Sequence, residues 1–246
     1  MRLIPIRGMP LVKYGDDVGE LIIKAAREQR VEIESGDVLV IAQSIVSKAE
    51  GAVVDLRTVE PSDLARRIAL RLEKDPREVE VILRQAKEIV RMGHVLIVRT
   101  EHGFVCANAG VDHSNVDPDH VTTLPIDPDA SAARIRETIK EKIGADVAVI
   151  ISDTQGRPFR KGVIGVAVGV AGMLPLLDCR GKRDLYGKEL KVTVTSPADA
   201  IAAAAVSVMG EADEGTPVIV VKDAVYQRGN GAAKELVRPQ ELDLFR

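Results

Sequence analysis

The sequence predicts an α+β fold in which mixed, partly antiparallel sheets carry flanking helices, and three observations predict it. Segments of helical and strand periodicity follow one another without a strict strand–helix–strand alternation. Two apolar, β-branched runs, 94–100 and 104–108, are joined through His102-Gly103 in the manner of a hairpin. The glycine patterns of the parallel nucleotide folds are missing: no G-x-x-x-x-G-K-[ST] occurs, and R-G-N-G at 228–231 does not open a helix after a strand. The expected fold is therefore neither Rossmann-like nor of P-loop type. No Pro/Gly-rich linker divides residues 1–246, so they read as one domain; two lobes within it would be interleaved, with the active site between them.

Each element has its own signal. Val18, Leu21, Ile22 and Ala25 recur at helical spacing behind the capping candidates Asp16 and Asp17, which predicts an amphipathic helix over about 17–29. D-V-L-V-I-A at 37–42 is a strand after the turn residues Ser35 and Gly36, and I-V-S-K-A-E-G at 45–51 leads out of it, carrying Lys48. Leu64, Ile68 and Leu72 mark a helix starting at Ser62. Val79, Ile82, Leu83, Ala86 and Ile89 mark another that opens at Asp75-Pro76 and closes at Gly93, the usual placing of Pro at the start and Gly past the end. The hairpin follows, and the polar stretch 109–127 is long for a connection, which marks it as functional.

Ile135, Ile139 and Ile143 define a helix stopped by Gly144, and D-V-A-V-I-I-S at 146–152 is a buried strand with Asp153 directly after it. The Val/Ala run 163–172 is a strand whose Gly165 and Gly169 call for the close approach of another backbone. L-K-V-T-V-T at 190–195 is a strand, and Ser196-Pro197 start an Ala-rich helix over 198–208. The acidic loop 209–216 then leads into the strand P-V-I-V-V-K at 217–222.

Composition narrows the class of function. Hydrophobic residues make up 46% and aromatics 2% with no Trp, so the core is aliphatic and platforms for stacked bases are scarce. A formal net charge of −3 and the lack of a long Lys/Arg run argue against a nucleic-acid binder working by phosphate neutralisation. No stretch has the ~18 apolar residues of a membrane span, and M-R-L-I-P-I-R-G lacks the apolar segment of a secretory signal, so a cytoplasmic protein is expected. Cys106 and Cys179 are far apart and read as small core residues rather than metal or disulfide partners. The four histidines show no metal-ligand spacing and have no Ser or Cys nucleophile beside them.

Two polar blocks carry the chemistry, N-A-G-V-D-H-S-N at 108–115 and D-T-Q-G-R-P-F-R-K-G at 153–162. Each sets an aspartate, Asp112 or Asp153, at the end of an apolar strand in a Gly-containing loop, where a rigid element aims a ligand and the loop leaves room. With Glu211 and Asp213 they could supply the few hard oxygens that Mg²⁺ or Mn²⁺ needs beside phosphate, with Thr154 and Asn115 as neutral donors. Arg157, Arg160 and Lys161 suit phosphate or carboxylate, and Lys48 with Gln43 and Ser44 could meet another phosphate. At this level a ligase, a metal-dependent kinase or nucleotidyltransferase, and a non-catalytic nucleotide-binding module all remain open.

These two blocks, together with G-M-P-L-V at 8–12, S-I-V-S-K-A-E-G at 44–51, D-L-Y-G-K-E-L at 184–190 and M-G-E-A-D-E-G at 209–215, resemble the coenzyme F-420-0:L-glutamate ligase (gamma-glutamyl ligase) family over nearly the whole chain. The resemblance implies GTP-dependent addition of L-glutamate to a deazaflavin coenzyme precursor, one residue and then a γ-linked second. It also implies two divalent ions per subunit, Mg²⁺ or Mn²⁺, a potassium ion, and a homodimer of unusual mixed α/β fold. Carried over by position, GTP would contact Met9, Pro10, Leu11, Val12, Gln43, Ser44, Lys48 and Asn115, and the loop formed by Met209, Gly210, Glu211, Ala212, Asp213, Glu214, Gly215 and Thr216. Asp112 and Asp153 would hold the first metal and Thr154 the second, with Glu211 as a further ligand. Arg157, Arg160 and Lys161 are assigned to catalysis on their charge alone, to steady the phosphate or substrate carboxylates. Gln155 stands at a position that varies within the family.

Overall fold

The computed structural model describes residues 1–243. Strand β1 (Arg2–Ile6) precedes helix α1 (Val18–Glu28), whose N-cap Asp17 accepts the Glu20 amide as the sequence leads one to expect. Strand β2 (Val38–Ala42) runs straight into α2 (Gln43–Ala49), and β3 (Val53–Asp55) follows. Helices α3 (Asp63–Leu72) and α4 (Pro76–Gln85) are capped by Ser62 and Asp75. Strands β4 (Ala86–Met92), β5 (Leu96–Thr100) and β6 (Val105–Ala107) form an antiparallel three-stranded sheet, and β7 (His120–Thr122) pairs with β3. Helix α5 (Pro128–Ile143) ends on Gly144 in the left-handed conformation, φ 74°, and leads to the long hairpin of β8 (Ala148–Arg157) and β9 (Arg160–Ala171). The short β10 (Leu177–Asp178) and β11 (Val194–Thr195) bracket an exposed excursion, after which α6 (Pro197–Met209) and β12 (Val218–Lys222) complete the described elements.

The expected α+β class holds. The main sheet has the order β1-β12-β2-β8-β9, with β2 and β8 parallel and every other neighbour antiparallel. Its inner strands are apolar on both faces, as buried strands must be when helices cover both sides. One face packs Leu39, Ile41, Val149 and Ile151 against α1 and α5, while the other packs Val38, Val40, Ile150 and Val221 against α6. Residues 56–121 contribute a third cluster, in which Ile68, Val79, Ile82, Leu96 and Val98 pack between α3, α4 and the three-stranded sheet.

The structure corrects several elements. The helix expected to reach Gly93 stops at Gln85, because 86–92 pairs with β5; residues Ala86–Met92 alternate in burial along that strand. Residues 43–49 are a helix rather than a strand exit. Strand β8 continues through Asp153 to Arg157, since β9 offers it pairing partners as far as Arg160, so the 153–162 block is a hairpin and not an open loop. Of 190–195 only Val194 and Thr195 are in a strand. Cys106 is in the core, whereas Cys179 is only half-buried in the excursion. The glycine expectation stands: a Cβ on Gly165 would lie 2.6 Å from the Ala202 carbonyl oxygen of α6, and one on Gly169 would run into that of Pro128 in α5.

Candidate functional site

Sheet topology decides where the polar segments meet. The carboxyl ends of the parallel pair β2 and β8, the end of β1 and the start of β12 all lie at one edge of the main sheet, as the pairs Ala42–Ser152, Ile41–Val218 and Ile6–Val218 fix. Five chain segments therefore emerge at this end: the loop after β1 with Met9, Pro10, Leu11 and Val12; α2 with Gln43, Ser44 and Lys48; the 108–115 block; Asp153 and Thr154; and the loop 209–216. Ligand sites in open sheets form outside the carboxyl ends of parallel strands, where neighbouring connections diverge and leave a crevice.

The 108–115 block is brought here by hydrogen bonds rather than by strand pairing within the main sheet. Asp112 exchanges backbone bonds with Thr122, and Thr123, next in the chain, accepts the side chains of Gln43 (2.9 Å) and Ser47 (2.7 Å) from α2. Asn115, left-handed at φ 55°, accepts the Lys48 ammonium through its backbone carbonyl at 2.6 Å. One oxygen of Asp112 is fixed by both the amide and the hydroxyl of Ser114, which leaves the other for a ligand. Sequence reasoning missed Ser114, although an Asp followed two residues later by Ser is the signature of such a turn. Gln43 is buried and its amide nitrogen is already engaged, so only its oxygen is available to a ligand.

Thr154 donates its hydroxyl to Glu211 at 3.3 Å and so ties the hairpin to the acidic loop. That loop turns at Gly210, φ 81°, where a Cβ would collide with the Glu214 carboxyl group; Glu214 in turn accepts the Ala212 amide. Thr216 is buried and closes the loop onto the Met209 carbonyl. Asp213 and Gly215 are exposed.

Burial pushes the Asp153 carboxyl up to about 6, and the negative charges of Asp112 and Glu211 push in the same direction against the hydrogen bonds from Thr154 and Gln155. Glu211 is likewise raised by burial and then by Asp112 and Glu214. Lys48 is lowered by burial, partly offset by Asp112. Asp153 also acts on the Cys106 thiol of β6, which burial drives to about 12. The half-buried Asp112 and Asp153 and the exposed Glu211 thus repel one another with Lys48 nearby, the condition a divalent cation relieves. Among the described residues no group of three or more His, Cys, Asp or Glu side chains is placed to hold a metal ion by itself.

The basic residues are placed differently. Arg157 is half-buried and donates to the Lys161 carbonyl at 3.3 Å, while Arg160 and Lys161 are exposed at the hairpin tip. Four steps along the strand lead from Asp153 to Arg157, about 13 Å at ~3.3 Å per step. The fold does not gather them with the carboxylates. His113 bonds the buried Glu78 of α4 at 3.2 Å, a structural role.

Comparison with known proteins matches this arrangement to a family. The sequence model of "F420-0:Gamma-glutamyl ligase" matches residues 7–223, which include every segment at the sheet end. The chain is 53% identical to the coenzyme F420:L-glutamate ligase of Methanothermobacter thermautotrophicus, over 99% of this chain and 98% of that protein. It is 49% identical to the protein of the same name from Methanopyrus kandleri, over 100% and 98%. The Methanocaldococcus jannaschii protein of that name is 47% identical, over 97% and 94%. At this coverage and identity the chain belongs to the F420-0:gamma-glutamyl ligase family.

Proposed function

We propose that the protein is a GTP-dependent ligase that adds L-glutamate, first one residue and then a γ-linked second, to the glutamate-free precursor of the deazaflavin coenzyme F420. The observation that carries this reading is the convergence of five segments on one sheet end around three mutually repelling carboxylates, in a chain whose relatives are named coenzyme F420:L-glutamate ligase. A carboxylate is a poor electrophile because its leaving group would be an oxide. In the proposed reaction it attacks the γ-phosphorus of GTP and GDP departs. The glutamate nitrogen then attacks the acyl carbon, phosphate leaves, and the nitrogen gives up a proton as the amide forms. No enzyme nucleophile is required.

Asp112, Asp153, Thr154 and Glu211 would hold two ions, Mg²⁺ or Mn²⁺, whose charge offsets that of the triphosphate. K⁺ is a further ion of the same reading, for which no residues are assigned. Lys48, fixed by the Asn115 carbonyl, would meet a phosphate, and the 9–12 and 209–216 segments would flank the nucleotide. Arg157, Arg160 and Lys161 act in this reading only on a substrate long enough to reach the hairpin tip. Among the described residues no helix is long and apolar enough to cross a membrane. The excursion between β10 and β11 exposes Leu185 (102%), Tyr186 (97%) and Val192 (86%), side chains that a second copy in a homodimer would cover.

The test is mass spectrometry of the deazaflavin precursor after incubation with protein, GTP, Mn²⁺ and L-glutamate. Product heavier by one or two glutamyl units is expected. A phosphorylated or nucleotidylated product without glutamate would make the protein a kinase or nucleotidyltransferase, and GTP binding without turnover would make it a binding module.

A further inference from the structure

A cavity of about 230 Å³ opens along the outer edge of β9, and none of its lining residues belongs to the proposed nucleotide or metal set. Its walls are apolar, built by Val105 of β6, Val166 and Val168 of β9, and Leu236 from the segment after β12. Phe104 adds a flat face whose orientation is fixed: its ring stacks on His102 with centroids 5.9 Å apart and planes at 19°, and the His102 Nε2 is held by the Pro125 and Ile126 carbonyls at 3.0 Å each.

Four polar side chains, Gln155, Asp199, Arg238 and Asp243, share the lining. Gln155 turns its amide nitrogen toward the Asp153 carboxylate, 3.5 Å away, so the cavity reaches the carboxylate cluster through one side chain. Arg238 is exposed and Asp243 half-buried. Asp199 also lines the cavity, but its carboxylate accepts the Ala167 amide at 2.9 Å and serves the strand edge. Pockets that enclose a whole drug-sized ligand run to ~300–1,000 Å³, so this one takes a single ring system and leaves any chain attached to it outside.

The geometry points to this slot as the seat of the acceptor's fused aromatic ring, with the acceptor's anionic tail running past Gln155 toward Asp153. The assignment rests on the ligase reading above and adds to it the place and the chemistry of acceptor recognition. An apolar slot with one fixed aromatic face selects for a flat ring. The Gln155 amide can bond a tail oxygen without adding a charge to a region already rich in carboxylates.

Two substitutions test it. Val105 is 38% exposed, so Val105→Trp fills the slot from its rim without entering the core; Arg238→Glu reverses the charge of an exposed side chain in the lining. With wild-type protein, the deazaflavin precursor alone should bind with a change in the fluorescence anisotropy of its ring. Val105→Trp should raise its Kd, and its KM in the glutamylation assay, by about ten-fold or more, while KM for GTP and glutamate stays within about two-fold. Arg238→Glu should weaken the precursor in the same selective way, because a negative charge added to the lining repels the precursor's anionic tail. If wild-type protein glutamylates the precursor and both variants keep its wild-type Kd and KM, the slot assignment is overturned and the ligase reading stands. If wild-type protein forms no glutamylated product, the ligase reading falls and the assignment with it. A Val105→Trp protein that failed to fold would leave Arg238→Glu to decide.

Discussion

Asp153 is the side chain on which the proposed chemistry most depends, and its environment makes it costly to keep ionised. Its value of about 6 in the folded protein lies above the 3.8 of a free aspartate, with burial as the first cause and Asp112 and Glu211 behind it. Folding therefore favours the neutral form. The stability this gives the metal-free protein is full below about pH 4 and is lost as pH rises through about 6. Replacing Asp153 by Asn should stabilise the metal-free protein by about 2–3 kcal/mol at pH 7.5, since each tenfold change in proton affinity is worth ~1.4 kcal/mol. The gain should shrink toward pH 4, as denaturant titrations with chelator present would show, and the same variant should lose divalent-ion-dependent turnover. An Asn variant less stable than wild type at pH 7.5 would mean that the charge is already compensated. At this scale the sequence singles out Asp112 and Asp153, because they stand alone at the ends of apolar runs. It is silent on their mutual repulsion, which depends on two residues 41 positions apart facing one point.

Strand β9 shows how an edge is managed when helices flank it. Asp199 of α6 accepts the Ala167 amide, and Asp129 of α5 accepts the amides of Val170 and, from the far end of the chain, Ala233. Both acids sit in the first turn of their helices, where the macrodipole favours negative charge. They use it to satisfy backbone donors that an edge strand otherwise leaves open. Gly165 and Gly169 let the two helices come close enough for this. Gly169→Ala should destabilise the protein by about 2–3 kcal/mol, since the new methyl meets the Pro128 carbonyl and neither backbone can retreat; urea unfolding measures it, and a loss below about 0.5 kcal/mol would show that α5 can shift. The role of these glycines is readable because a pair of them weakens a Val/Ala strand unless a neighbouring backbone needs the room. Strand β4 is not readable, because Ile82, Leu83, Ala86 and Ile89 keep a helical spacing and only the partner β5 pulls 86–92 into a strand. Strand β1 escapes the sequence for a related reason: Pro5 argues against a strand, and is tolerated here because β1 lies at the sheet edge.

For the molecule as a whole, the exposed side chains of Leu185, Tyr186 and Val192 predict self-association. Sedimentation should give twice the 26.5 kDa chain mass, and replacing Leu185 and Tyr186 together by Asp should return it to a monomer; a wild-type monomer at tens of micromolar would reject the proposed dimer. Helix caps, strands and the polar blocks are legible locally, and the class of fold follows from them. The sheet order is not, because nothing local says that β12 lies between β1 and β2. That insertion has a consequence for biogenesis. On the ribosome, the first two strands of the sheet emerge early yet cannot become neighbours, and each waits with an unpaired edge until residues 218–222 leave the exit tunnel. The gap closes late, and in closing it draws the segments after β1 and before β12 together in one event, so a polypeptide released before that point would carry two open edges and no catalytic centre.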